Sequence, residues 1–327
     1  MKNGILSTIG DSPLVRLRSI FSDAQFSLYA KLESTNPGGS IKDRAAYTII
    51  SKAIEQGQLR PGATVIESSS GNMGIGLAQV CTYLGFRFIC VVDPKTTNQN
   101  LNLLKAYGAE VDLVSVPDPR TGEFLQARLD RVQRLLRLIP NSYWPNQYAN
   151  VNNAVAHHQT MHEIATELGG NLDYLFVAAS TCGTVRGCSE YIRANRLKTR
   201  LIAVDAVGSV IFGGKAAKRL IPGHGAVKRS ELYQPNLVDR CVHVSDLDCV
   251  VGCRRLVRCE AIIAGGSSGG VIAAVERVKH IMPKDARCVV ILADRGERYL
   301  DTIYSDNWVK EHFGEISHLW DASAVAA

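Results

Sequence analysis

The chain has 327 residues, 46% apolar and 21% charged, with a net charge of +6. That length allows two compact domains, and the composition is that of a globular protein. The basic excess is mild and contains no dense Lys/Arg run, which argues against a nucleic-acid partner.

The first punctuated segment is Asn36-Pro-Gly-Gly-Ser-Ile-Lys-Asp-Arg44, after which residues 45–54 read as a helix with Ser40 able to cap it. Residues 64–67 read as a short buried strand, 73–84 as a helix, 88–92 as a strand, 98–107 as a helix and 111–116 as a strand. An amphipathic helix follows. Leu125, Leu129, Val132, Leu136 and Ile139 form its stripe, and Arg128, Arg131, Arg134 and Arg137 recur every third residue beside it. Three of those arginines are expected to be solvated, with Arg128 turned inward. The second half repeats the habit, with strands at 172–179, 201–205 and 287–293 and helices at 184–194, 248–259 and 270–281.

Such alternation predicts two α/β domains built on parallel sheets covered on both faces. The irregular stretch 140–150 is the expected boundary, giving domains 1–146 and 147–327. Residues 321–327 read as a loose tail. The apolar runs are too short to span a bilayer, so no membrane partner is expected, and the N-terminus shows no leader, which makes the cytoplasm the expected location. Nine scattered cysteines, odd in number and without a C-x-x-C pair, predict free thiols in a reducing compartment, with no metal site.

Four loops carry candidate chemistry. Lys42 falls in a first helical turn, where the helix dipole lowers an amine's pKa, as a nucleophilic lysine needs. Glu67-Ser-Ser-Ser-Gly-Asn-Met-Gly74 runs from strand to helix and can be either a capped, solvated turn or an anion site. Ser180-Thr-Cys-Gly-Thr184 has the small residues and hydroxyls that wrap a phosphate. Ala264-Gly-Gly-Ser-Ser-Gly-Gly270 is either a flexible connection or a close approach to a flat ligand. Gly71, Gly74 and Gly76 with Asp93 loosely imitate a dinucleotide fingerprint, but their spacing is G-x-x-G-x-G and a nicotinamide role fits less well.

In this order the four loops resemble the fold-type II, tryptophan synthase beta-like family of pyridoxal-phosphate enzymes that holds the cysteine synthases and cystathionine β-synthases. The resemblance runs from Ile9-Gly-Asp-Ser-Pro-Leu14 to Arg295-Gly-Glu-Arg-Tyr-Leu300. It implies pyridoxal 5'-phosphate as cofactor, bonded by Lys42, which is also the catalytic base. By the same resemblance Asn72 meets the pyridoxal 3′-oxygen, Ser180, Thr181, Cys182, Gly183 and Thr184 cradle the cofactor phosphate, and Ser267 meets the pyridine nitrogen. Ser69, Ser70, Gly71, Met73 and Gln147 are implied to grip the substrate α-carboxylate. Arg128 is assigned here to a departing phosphate.

Tyr143-Trp-Pro-Asn-Gln-Tyr-Ala-Asn150, the stretch 204–214 and the stretch 293–301 are similar to those of a narrower group. Its members join O-phospho-L-serine to the amino group of L-glutamate on the way to 2,3-diaminopropionate, a precursor of siderophores. That likeness implies a homodimer and a downstream dehydrogenase in the same pathway. The other readings are a sulfhydrylase that makes cysteine, a nicotinamide oxidoreductase and a catalytically silent relative. Where ordinary cysteine synthases read G-T-G-G-T, this chain has Cys182 at the third position.

Overall fold

A computed structural model of the chain describes residues 2–119 and 122–320; the expected tail 321–327 lies outside them. In chain order the elements are β1 (Leu14–Leu17), β2 (Ser27–Leu32), α1 (Lys42–Glu55), β3 (Thr64–Ser68), α2 (Asn72–Leu84), β4 (Arg87–Val92), α3 (Asn98–Ala106), β5 (Glu110–Leu113), α4 (Phe124–Leu138) and β6 (Ser142–Tyr143). They continue as α5 (Asn152–Glu167), β7 (Tyr174–Ala178), α6 (Gly183–Ala194), β8 (Arg200–Ala206), β9 (Arg240–Val244), α7 (Asp246–Glu260), α8 (Gly266–Val278), β10 (Arg287–Leu292) and α9 (Asp306–Phe313). Among the described residues no helix is long and apolar enough to cross a membrane.

The chain divides into two compact units. The first comprises 1–9 and 36–156, the second 10–35 and 157–327. Residues 10–35 belong to the second because β2 pairs in parallel with β10, and β1 pairs antiparallel with β2 at the sheet edge. A single cut at 146/147 does not describe that arrangement, and the division falls inside α5.

The first unit is a four-stranded parallel sheet of order β5-β4-β3-β6. Successive side chains of a strand point to opposite faces. Val65, Phe88, Cys90 and Val92 therefore pack toward α1 and α2, while Ile66, Ile89 and Val91 meet Val132 and Leu135 of α4. Both faces are covered, so β4 reads as an apolar run from Phe88 to Val92 and every residue of β3 is buried. Helix α2 ends on Gly85 at φ 75°, in the left-handed region where glycine closes a helix without a steric penalty.

The second unit is a six-stranded sheet of order β1-β2-β10-β7-β8-β9, parallel except at its β1 edge. Its core gathers Phe176, Ile202, Val204, Val250, Val271 and Val290. Helix α7 starts in a full capping box, Ser245 with Asp248. Its crossing with α8 is close: a Cβ on Gly252 would lie 2.1 Å from the carbonyl oxygen of Gly269, and one on Gly269 would lie 1.9 Å from that of Cys249.

Candidate active site

In the first unit, Lys42 is the first residue of α1, three residues earlier than the periodicity of 45–54 suggests. The Ser40 hydroxyl accepts from the Lys42 N–H at 3.2 Å, and the buried Asp43 carboxylate accepts from Gly38 N–H at 2.6 Å. A Cβ on Gly38 would meet that carboxylate at 2.7 Å, so glycine is what lets the turn close on Asp43.

Gly74 and Gly76 of the loose dinucleotide pattern are spent on packing. A Cβ on Gly76 would sit 3.2 Å from the Lys42 carbonyl oxygen, and one on Gly74 would sit 3.0 Å from Cys90 Sγ. Gly76 thus brings the start of α1, with Lys42, against the first turns of α2, with Asn72.

The loop from Ser69 to Gly74 opens α2. The Ser69 hydroxyl accepts from the N–H of Gly71 at 3.3 Å and of Gly74 at 3.0 Å, and Asn100 Nδ2 donates to the Ser70 carbonyl at 2.9 Å. Ser70, Gly71 and Asn72 are half-buried. The Met73 side chain lies in the core, which leaves its backbone as the part that can face a ligand.

Gln147 joins this loop. Its side-chain Nε2 donates to the Ser68 carbonyl at 3.3 Å, its N–H to Glu67 Oε2 at 3.2 Å, and its carbonyl accepts from Asn153 Nδ2 at 2.8 Å. Glu67 also accepts from its neighbour Ser68 N–H at 2.8 Å and from Trp144 Nε1 at 3.1 Å. Burial pushes the Glu67 carboxyl up to about 7, against the N–H bonds and the charge of Arg128, which pull it down.

Arg128 is turned inward as expected, but its partner is Asp93, with Nε 3.2 Å from Oδ2. Arg131 makes a two-pronged pair with Asp112, at 2.9 and 2.7 Å, while Arg134 and Arg137 are exposed. Glu67, Asp93, Asn100 and Asn153 were not legible as parts of one site. The available signal was an ionisable residue ending the apolar run of β3.

In the second unit, Ser180 to Thr184 lead from β7 into α6. Cys182 adopts φ 66° and precedes the helix without capping it by its own side chain, and the first N–H groups of a helix start are natural donors to an anion. Burial pushes its thiol up to about 12, so Cys182 is a packing residue and not a nucleophile. The Thr184 hydroxyl lies 3.2 Å from His157 Nε2, and His157 Nδ1 lies 3.2 Å from Thr160 Oγ1. Gly225 N–H donates to the Ala179 carbonyl at 2.8 Å, and the Ser180 hydroxyl donates to the Gly225 carbonyl at 3.4 Å.

Ser267 is the second residue of α8. It is buried, and its hydroxyl has no hydrogen-bond partner among the described residues. Its neighbour Ser268 accepts from the Ala293 N–H at 3.1 Å. In the 293–301 stretch, Tyr299 donates to Asp294 at 2.5 Å. The glycines of 264–270 are therefore not a flexible connection: Gly269 seats α8 on α7, and Gly265 leaves room for Asp294.

Each unit is an open, largely parallel sheet with helices that begin after strand ends, and with the solved structures below this is the fold-type II α/β architecture. The chain belongs to the pyridoxal-phosphate dependent enzyme family, whose model matches residues 5–294. It is 44% identical to N-(2-amino-2-carboxyethyl)-L-glutamate synthase of Ralstonia nicotianae, over 93% of this chain and 90% of that one. It is 43% identical to the synthase of the same name from Cupriavidus metallidurans, over 94% and 91%.

Among solved structures, O-ureido-L-serine synthase superposes with a TM-score of 0.87 at 29% identity, covering 100% of both chains. The O-acetylserine dependent cystathionine beta-synthase of Helicobacter pylori gives 0.86 at 28%, covering 93% of this chain and 99% of that one.

The residues present fit the family's cofactor. A helix start behind a left-handed residue that makes no side-chain cap suits a phosphate, and a hydroxyl bonded to nothing else in the described chain suits an uncharged ring nitrogen.

Proposed function

We propose that this chain joins O-phospho-L-serine to the amino nitrogen of L-glutamate, giving N-(2-amino-2-carboxyethyl)-L-glutamate and phosphate. The observation that carries the reading is the 43–44% identity to the two synthases of that name, along nine-tenths or more of both partners.

In the first unit Lys42 holds the cofactor by its amine and then serves as base and acid at the donor's Cα. Asn72 takes the pyridoxal 3′-oxygen. Ser69, Ser70, Gly71, the Met73 backbone and Gln147 grip the donor α-carboxylate, for which the N–H groups at the start of α2 are the natural donors. In the second unit Ser180, Thr181, Cys182, Gly183 and Thr184 take the cofactor phosphate, and Ser267 bonds the pyridine nitrogen.

When bound, pyridoxal phosphate supplies an electron sink next to Cα, a weak one where its ring nitrogen meets a neutral hydroxyl. Weak delocalisation favours immediate loss of a β substituent. The Cα proton goes to Lys42, and the phosphate leaves with the electron pair of its C–O bond. The glutamate nitrogen then bonds the β carbon and loses a proton, and Lys42 returns one to Cα. No net oxidation occurs. Arg128, held by Asp93, is assigned to the departing phosphate.

The enzyme is proposed to act as a homodimer in the cytoplasm, with a downstream dehydrogenase cleaving the adduct. All nine cysteines are free, which suits a reducing compartment. The deciding experiment is mass spectrometry of the products from O-phospho-L-serine with a panel of nucleophiles. The expected product is the glutamate adduct; cysteine from sulfide, with no adduct from glutamate, overturns the reading in favour of a sulfhydrylase.

A further inference from the structure

We infer that Glu67 is a positioning residue for recognition of the donor α-carboxylate: it clamps the 144–147 segment so that Gln147 is presented to the Ser69–Gly74 loop. The inference rests on the roles proposed above for Gln147 and that loop.

The position itself is the first argument. Thr64, Val65, Ile66 and Ser68 around it are all buried, and Glu67 has no exposed surface. A carboxylate placed there costs several kcal/mol unless its oxygens are satisfied. Among the described residues no cation lies within ion-pair distance of it, because the neighbouring Arg128 is paired with Asp93. An apolar side chain like those of Val65 and Ile66 would serve the core with less cost. The carboxylate is retained with a specific set of partners.

Those partners all face one task. Oε1 accepts from Ser68 N–H and Trp144 Nε1, and Oε2 accepts from Gln147 N–H. Asn153 Nδ2 holds the Gln147 carbonyl from the other side, so its backbone is fixed at both N–H and C=O. The side chain then reaches back to the Ser68 carbonyl with one of the two N–H groups of its amide. Ser68 immediately precedes Ser69, whose hydroxyl shapes the turn into α2. Glu67 is the only side chain that bonds both Trp144 and Gln147 among the described residues, and it sits two residues before the Ser69–Gly74 loop.

The test compares Glu67→Gln and Trp144→Phe with wild type in the loaded enzyme. Glu67→Gln keeps the volume but turns one acceptor oxygen into a donor, which must then face an N–H of Gln147, Trp144 or Ser68. Trp144→Phe removes a single donor and leaves Glu67 in place. Steady-state kinetics, cofactor absorbance and hydrogen–deuterium exchange of peptides covering 143–150 are read together.

In Glu67→Gln the donor KM is expected to rise about tenfold with kcat within about twofold, as loss of a ground-state contact does. Faster exchange at 143–150 and unchanged cofactor absorbance should accompany it. Trp144→Phe should give the same pattern at about threefold. An unchanged KM in folded Glu67→Gln, whatever the exchange, overturns the inference. If that variant does not fold, an unchanged KM in Trp144→Phe does so. The comparison is run with O-phospho-L-serine and with O-acetylserine, which share the α-carboxylate. A wild type that consumes only the acetyl donor overturns the donor proposed above, while the Glu67 comparison still reads out.

Discussion

The two strand-to-helix loops, 69–74 and 180–184, solve one problem in different ways. At the start of α2 a side chain does the shaping: the Ser69 hydroxyl takes two backbone N–H groups, and Glu67, Gln147 and Asn153 brace the turn from behind. At the start of α6 the N-cap residue, Cys182, makes no side-chain cap, and the bend comes from its left-handed backbone. The first arrangement is a network that can loosen and re-form, which suits a carboxylate that must leave at every turnover. The second is a fixed backbone cup, suited to a phosphate that stays.

The largest expected effect separates bonding the cofactor from holding it. Lys42→Ala should lower turnover by at least about 10³-fold and abolish the visible absorbance of the lysine-bound cofactor. If the second loop alone carries the phosphate, the variant should still retain cofactor through dialysis. Loss of cofactor there breaks the contrast.

The next concerns pH. Because the folded-state value of Glu67 lies near 7, above the ordinary 4.5, the folded protein holds a proton that the unfolded chain has lost. Stability therefore falls as pH rises through that window and levels off above it. Between about pH 5 and pH 8 wild type should lose roughly 2–3 kcal/mol more than Glu67→Gln, measured by denaturant unfolding. Arg128 and the N–H donors oppose the shift, so a smaller difference means that they offset more of the burial effect, and only a reversed trend means that they outweigh it.

A crossed pair of substitutions comes third. Ser69→Ala should raise the donor KM about tenfold and leave cofactor affinity alone, while Ser180→Ala should weaken cofactor binding about tenfold and spare the donor KM. The reverse assignment sinks the division of labour. Smallest is Cys182→Gly. Relief of the left-handed strain and the extra freedom of glycine nearly cancel, so the loss of a buried side chain decides the sign: stability should fall by about 1 kcal/mol while cofactor affinity holds.

Much of this was readable from residues alone. Buried parallel strands are largely apolar, so the stretches 88–92, 175–178, 201–204 and 288–292 stood out, and glycine with serine marked the helix starts. The pairing of β2 with β10 was not readable, because its register joins residues some 260 positions apart and leaves no local pattern. Arg128 was foreseen to turn inward, yet its partner Asp93 had drawn notice only as part of a nucleotide-like spacing. Glu67 showed as one letter in an apolar strand; its partners come from a different stretch, and only the fold joins them.

The contact of Gly252 with Gly269 bears on what protein engineering can attempt here. The α7–α8 crossing leaves no room for even a methyl group at either position, and neither glycine can compensate for a change in the other. Position 267, two residues away on the same helix, has a hydroxyl committed to nothing else in the described chain. If Ser267 takes the proposed ring-nitrogen role, substitutions there should be made with the glycine pair that holds its helix left untouched.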